Sequence, residues 1–302
     1  MQRHRSVSHP TASIWCKHWN EALLFMAQPL ISTTHNAPPG IRQRPASRLR
    51  LRAFAPLGTA LALLGVWQLV SSAGFVPAFL VPPPAAVLDK FLEVLANGTL
   101  AGHVATTLEE MLLGLLLGAS IGVGLGYCLA HSHTLEGLLA PLIVAFQATP
   151  VVAYAPLLII WFGTGTGGKI VTCAVVVFFP MLVNTIIGVR NVPAGYHELF
   201  RSLRASRWQT LRLLELPAAL PVFFAGLRTS ATLALIGAVV GEFISARSGL
   251  GFMVVLARNQ YDTPLVFVGI LTMTAIALSL YSLVSFVERR ALRWQHSAFG
   301  PR

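Results

Sequence analysis

The chain has 302 residues, 55% of them hydrophobic and only 11% charged, with a mean hydropathy of +0.68. Soluble domains carry about 25% charged residues, so this composition marks a membrane protein. The net charge of +11 brings a nucleic-acid partner into question, and the three cysteines, Cys16, Cys128 and Cys173, show neither metal-ligand spacing nor a redox pair.

Residues 1–52 are rich in Arg, His, Ser, Thr and Pro and end in "IRQRPASRLRLRA". They read as a disordered, basic cytoplasmic tail. Within it "ALLFMAQPLI" reaches about half of the roughly 20 residues a spanning helix needs and lacks a cleavage site. Residues 53–294 read as one transmembrane domain with about six apolar segments near spanning length. These lie at Phe54 to Phe75, Leu108 to Ala130, Leu135 to Phe162, Ile170 to Val189, Ala218 to Ile244 and Pro264 to Val287. Residues 295–302 form a short cytoplasmic tail. Lipid offers the backbone no hydrogen-bond partner and barrel alternation is absent, so the expected fold class is all-α, a polytopic membrane helix bundle.

The second segment carries Gly114, Gly118, Gly122 and Gly126, a four-residue repeat that suits close helix–helix approach. Arg and Lys concentrate in the tail, in the loop 190–217 and after Val287. Lys90, Lys169, Arg247 and Arg258 fall on the other side, and Arg228 lies within the fifth segment. By the positive-inside rule both termini and the loop 190–217 are cytoplasmic. Topology thus absorbs the net charge without DNA or RNA.

That loop, "ELFRSLRASRWQTLRLLELPAALP" from Glu198, is amphipathic. Its Leu199, Phe200, Leu203, Trp208, Leu211 and Leu214 recur at helical steps among Arg201, Arg204, Arg207 and Arg212. Periodicity leaves three roles open: lying on headgroups, packing under the bundle, or docking into a partner. The residues also resemble permease subunits of bacterial ATP-binding-cassette (ABC) importers. In that family a Glu-Ala-Ala signature is followed by Gly six residues after the Glu and by apolar-x-Leu-Pro ending nineteen residues after it, which places Glu198, Leu214, Leu216 and Pro217 in register. "PVVAYAPLLIIWFGTG", "FFPMLVNTIIGVRNV", "RASRWQT", "LPAALPVFFAGLRTSATLALIGAVVGEF", "SGLGFMV" and "DTPLVF" extend the likeness over most of the chain, and it is similar to the nitrate, sulfonate and taurine branch.

The resemblance implies a type I (MetI-like) importer core working as a dimer with a second permease copy, a homodimer, together with an ABC ATPase dimer. A periplasmic or lipid-anchored solute-binding protein completes the system in the bacterial inner (plasma) membrane. It implies no cofactor or metal on this chain and no catalysis by it, with ATP hydrolysed by the partner. It further implies that Glu198, Leu199, Phe200, Arg201, Leu203, Arg204, Ala205, Ser206 and Arg207 form a cytoplasmic coupling helix in a groove of the ATPase. Leu199 and Phe200 replace the two alanines, and Arg204 stands where the family has glycine, so either the helix continues through Arg204 or the turn there is strained. The resemblance covers solutes such as nitrate, sulfonates, taurine, pyrimidine thiamine precursors and riboflavin.

Pro141, Pro150 and Pro156 interrupt the third segment and, with Gln147, Thr149 and Tyr154, are the candidates for a translocation path. Glu242 is added to that set; it lies roughly 36 Å along its helix, near the outer interface, where snorkelling, hydrogen bonding or a functional role stay open and Arg247 is within reach. "GTGTGG" at Gly163 to Gly168 lacks the Walker spacing and reads as a flexible outer turn. His131 and His133 read as a solvated turn. An ion-driven secondary transporter is the competing reading; it calls for intramembrane charge pairs and an internal repeat, and neither is evident in the sequence. A membrane-anchored sensor calls for a soluble domain, which is also missing.

Overall fold

The computed structural model describes residues 47–73, 77, 79–245 and 247–293 as helices and short connections. The expected tails therefore lie mostly outside the described residues, although 47–52 are helical. The helices are α1 Ser47–Ser72, α2 Pro84–Ala96, α3 Thr99–His131, α4 His133–Ala148, α5 Val151–Phe162, α6 Thr166–Arg190, α7 Ala194–Ser202, α8 Arg207–Ser245, α9 Leu250–Asn259 and α10 Thr263–Ala291. By contact the chain divides into two units, Met1–Thr59 and Ala60–Arg302; the first contributes only the start of α1 to the described structure.

Among the described residues four helices, α3, α6, α8 and α10, are long and apolar enough to cross a bilayer. The expected third span is instead two helices, α4 and α5, bent by 102° at the break between them. Proline at 150 disfavours helical backbone at the residue before it, and Thr149 is accordingly extended, with φ −81° and ψ 124°. If that bent pair is one crossing the total is five. The first expected segment falls in α1, and α9 is an apolar helix shorter than a span.

The core is a slab of three helices with α6 in the middle. In lipid, association rests on van der Waals packing, which small residues bring to backbone range. A Cβ on Gly122 would lie 2.7 Å from the Phe178 carbonyl oxygen, and one on Gly126 would lie 2.8 Å from that of Leu182. Gly118 faces the Ala174 carbonyl in the same way. On the other face of α6, a Cβ on Gly237 of α8 would lie 2.6 Å from Cys173 Cα. Met111, Cys173, Val177, Met181, Ala231, Ala234 and Ala238 fill the slab. Cys173 is fully buried and its thiol sits 3.2 Å from the Ala234 carbonyl, a packing residue rather than a reactive one.

One end of the slab is closed by a buried polar network. Glu110 on α3, Lys169 on α6 and Glu242 on α8 are 0%, 4% and 2% exposed, and Lys169 pairs with Glu110. Glu242 accepts hydrogen bonds from Thr107 Oγ1 at 2.7 Å and from the Gly251 amide. The Leu250 amide donates to Thr107 Oγ1 at 2.8 Å, and the Gly249 amide to His103 Nδ1 at 3.1 Å. Three amides at the start of α9, which no helical carbonyl can satisfy, are thus capped by side chains from α3 and α8. Gly249 holds φ +111°, and a Cβ there would meet the Glu242 carboxylate, so the loop "SGLG" folds tightly over that side chain. A second apolar cluster, Val87, Val94, Leu100, Leu250, Met253 and Val268, joins α2, the start of α3, α9 and α10 beside it.

These contacts correct three sequence expectations. Glu242 does not snorkel towards Arg247, because α9 supplies its partners. The flexible turn expected at Gly163 to Gly168 is helical in its second half, because α6 begins at Thr166 and carries the side chain of the following Lys169 inward. A buried charge pair, Lys169 with Glu110, does exist. Arg228, in turn, pairs with Glu288 of α10 at 3.2 Å.

Lys90 of α2 bridges to Glu93 at 2.9 Å and Asp262 at 3.3 Å at a more exposed site. The bond to Glu93, against some desolvation and with help from Asp262, raises the ammonium pKa above the ordinary lysine value. Breaking a buried pair leaves an uncompensated charge and costs about 3–5 kcal/mol, whereas an exposed pair contributes about 1 kcal/mol or less. Lys169→Met is therefore expected to lower the thermal midpoint of the detergent-solubilised protein far more than Lys90→Met; equal shifts in a paired melting experiment would show that the network does not hold this end together.

Candidate functional site

At the opposite end of the slab the chain leaves α6, forms α7 and returns into α8. No residue of α7 is buried. Tyr196, Leu199 and Leu203, at steps of three and four, are 54%, 50% and 69% exposed, and Trp208 is 66% exposed; Phe200 is half-buried. Glu198, Arg201, Arg204 and Arg207 are exposed around this stripe. None of them makes an ion pair among the described residues. Apolar side chains on one side with uncommitted charges around them form a surface suited to burial against a partner.

The end of α7 answers the question raised by Arg204. The helix stops at Ser202 and Arg204 takes φ +53°. The Ala205 amide donates to the Phe200 carbonyl and the Arg204 amide to that of Arg201, both at 3.0 Å. This is a Schellman turn, which normally uses glycine at the left-handed position; arginine there adopts the strained alternative. Ser206 then starts the next helix. Its Oγ accepts from the Gln209 amide at 3.2 Å, and its own amide donates to Gln209 Oε1 at 2.7 Å. The signature S-x-x-Q is a capping box. Ala205 is half-buried beside it.

Both ends of this segment grip the last turn of α3. Arg190, the last residue of α6, donates to both Glu136 oxygens at 2.7 Å and to the Leu129 and Ala130 carbonyls at 3.1 and 3.2 Å. It so caps the unpaired carbonyl end of α3 while holding Glu136 of α4 in a bidentate pair. Glu215, 4% exposed, accepts from the Tyr127 hydroxyl at 3.0 Å and lies 3.0 Å from His131 Nε2. It closes a π-helical turn, Leu211–Glu215, in which the Leu216 amide reaches back to the Leu211 carbonyl. Between the two anchors a cleft of about 810 Å³ is lined by Tyr127, Cys128, His131, His197, Arg201, Ala205, Arg207, Thr210 and Glu215. His131 is thus an anchored residue rather than a member of a solvated turn; His133 is largely exposed, 3.6 Å from Glu136. Arg190, Tyr127, His131 and Glu215 carry no local motif, and only the capping box has a signature readable in sequence.

The candidate path residues divide. Gln147, Thr149 and Pro150 are exposed together at the α4–α5 bend, with Tyr154 half-buried one turn into α5. Thr149 Oγ1 donates to the Ala145 carbonyl at 2.9 Å, occupying a carbonyl of the helix that ends there. Glu242 is not part of this group; it belongs to the buried network under α9.

Over residues 114–293 the chain matches the family described as "Binding-protein-dependent transport system inner membrane component". It is 43% identical to the riboflavin transport system permease protein of Chloroflexus aurantiacus, covering 85% of this chain and 96% of that protein. It is 34% identical to a putative aliphatic sulfonates transport permease protein of Bacillus subtilis, covering 86% and 94%. The fold is similar to that of the MetNI methionine ABC transporter in inward-facing conformations, with a TM-score of 0.57 over 64% of this chain and 95% of that one; at 19% identity this likeness is one of fold. Four spanning helices, a bent pair and an exposed loop helix therefore belong to a member of the binding-protein-dependent transport system inner membrane components, a multi-pass, non-catalytic permease subunit of an ABC importer.

Proposed function

We propose that α7 and the Schellman turn after it dock on a separate ATPase subunit, and that this contact drives opening and closing of a solute path through the membrane. The observation that carries this reading is the exposed stripe Tyr196, Leu199 and Leu203, ringed by Glu198, Arg201, Arg204 and Arg207, on a helix with no fully buried residue. Buried in a groove, the three apolar side chains act as anchors, and the charges form pairs at the rim that fix register. In this reading both termini and the segment 190–217 face the cytoplasm, an ATPase dimer hydrolyses ATP, and a second copy of this chain completes the path. A binding protein on the far side delivers solute. The bend at Gln147, Thr149 and Pro150 faces that path.

The solute we propose is a heteroaromatic one of the riboflavin class. Its support is the 43% identity to a riboflavin permease against 34% to a sulfonate permease. A strain lacking this gene is expected to lose uptake of labelled riboflavin while keeping that of taurine; the reverse pattern in the same uptake assay assigns the chain to sulfonates.

Replacing Phe200 and Leu203 together by Asp should release the ATPase on purification while leaving membrane insertion intact. Retained co-purification at wild-type stoichiometry, or uphill transport by this chain alone on an ion gradient, would overturn the coupling reading. Arg204→Gly should relieve about 1 kcal/mol of left-handed backbone strain. It is therefore expected to slow hydrogen exchange at the Arg204 and Ala205 amides that close the turn; unchanged exchange would show that the turn stores no strain.

A further inference from the structure

We infer that Arg190 and Glu215 are positioning residues that convert movement of α7 into movement of α3, an assignment that rests on the reading of α7 as the ATPase-docking helix. Packing between the two is sparse, because α7 has no fully buried residue and a cleft of about 810 Å³ opens between the segment and the end of α3. The segment is instead a bridge with two abutments. Arg190 immediately precedes it and Glu215 ends it, and both hold the same stretch of α3, Tyr127 to His131.

Both abutments are stiff. Arg190 is held by its bidentate, charge-assisted pair with Glu136 of α4 at 2.7 Å, and from that fixed position donates to the Leu129 and Ala130 carbonyls of α3 at 3.1 and 3.2 Å. Glu215 is shielded from water, which strengthens the bonds it accepts from α3. A load applied at the middle of the bridge therefore reaches α3 at both of its contacts. From there it passes along the glycine stripe to α6. The π turn directly before Glu215 supplies a place where helix geometry yields, as such turns do at functional sites. Without the two anchors, movement of α7 would reach α3 only indirectly, through the covalent chain into α6 and α8 and their packing against α3.

The cleft contains its own reporter. Cys128 is exposed there and Cys173 is fully buried, so in a Cys16→Ser background a maleimide reads the accessibility of Cys128 alone. The experiment uses the full chain assembled with a cysteine-free ATPase in proteoliposomes and compares labelling rates without nucleotide and after trapping with ATP and vanadate. The wild-type rate is expected to change at least about fivefold, the lower range of typical coupling energies. In Tyr127→Phe and Glu215→Ala it should change by less than about twofold while the ATPase still co-purifies.

Variants that respond like the wild type overturn the inference, as does a wild-type Cys128 that never responds although the ATPase is bound. If Glu215→Ala fails to assemble, Tyr127→Phe, which removes a single hydroxyl, decides alone. Failure of the wild-type chain to retain the ATPase is a separate outcome; it removes the docking reading itself.

Discussion

The structure depends on near-contact of helix backbones inside the bilayer. Acyl chains are as apolar as leucine, so two helices gain little from burying apolar faces against each other; they gain from approaching closely enough for dispersion to act along their whole length. Glycines 114, 118, 122 and 126 give α3 that approach to α6, and Gly188, Gly226 and Gly237 mark it between α6 and α8. Because carbonyl oxygens and Cα atoms already sit where a Cβ would be, these helices cannot slide without separating. They move as a body or not at all.

Charge placement follows from the same bilayer. Each helix of the slab carries one member of the network at the α9 end and contacts the anchors at the α7 end. The separation is about 26 Å from Glu110 to Tyr127, about 32 Å from Lys169 to Arg190 and about 40 Å from Glu215 to Glu242, at 1.5 Å per residue. A hydrocarbon core is about 30 Å thick, so both belts fall near headgroup depth, where ionised groups cost least. Along those intervals Arg228 is the one charged side chain, and it reaches Glu288 on α10. Rigid packing in the middle with polar fastening at the ends leaves compliance to the elements outside the slab: the bent α4–α5 pair and the bridging α7.

What was legible in the sequence divides along the same line. Long apolar runs set α3, α6, α8 and α10, and the four-residue glycine spacing gave the packed face of α3, because both are repeats within one helix. The place of Arg204 was legible as a conflict between residue and required backbone, and the structure resolves it on the strained side. The α4–α5 bend was hidden because both arms are equally apolar and proline marks a break without its angle. Partners such as Glu215 with Tyr127, Arg190 with Glu136, or Glu242 with Thr107 lie 54 to 135 residues apart. No periodicity connects residues that meet only after helices pack. Counting Arg190 and Lys169 as topological charges followed from that.

The buried Glu110, Lys169 and Glu242 cluster is the kind of feature an ion-driven carrier would use, since ionisable residues within a bilayer usually mark a pathway. Its bonding argues otherwise. The carboxylate of Glu242 is engaged by Thr107 and by the first turn of α9, and Thr107 in turn accepts the Leu250 amide. To load and release an ion, Glu242 would have to abandon those amides, which have no other acceptor, and free α9 from the slab at every cycle. A group whose ligands are the backbone of its own roof is fixed in place by the fold. The cluster thus joins α3, α6, α8 and α9 at one end of the slab and is a structural fastening.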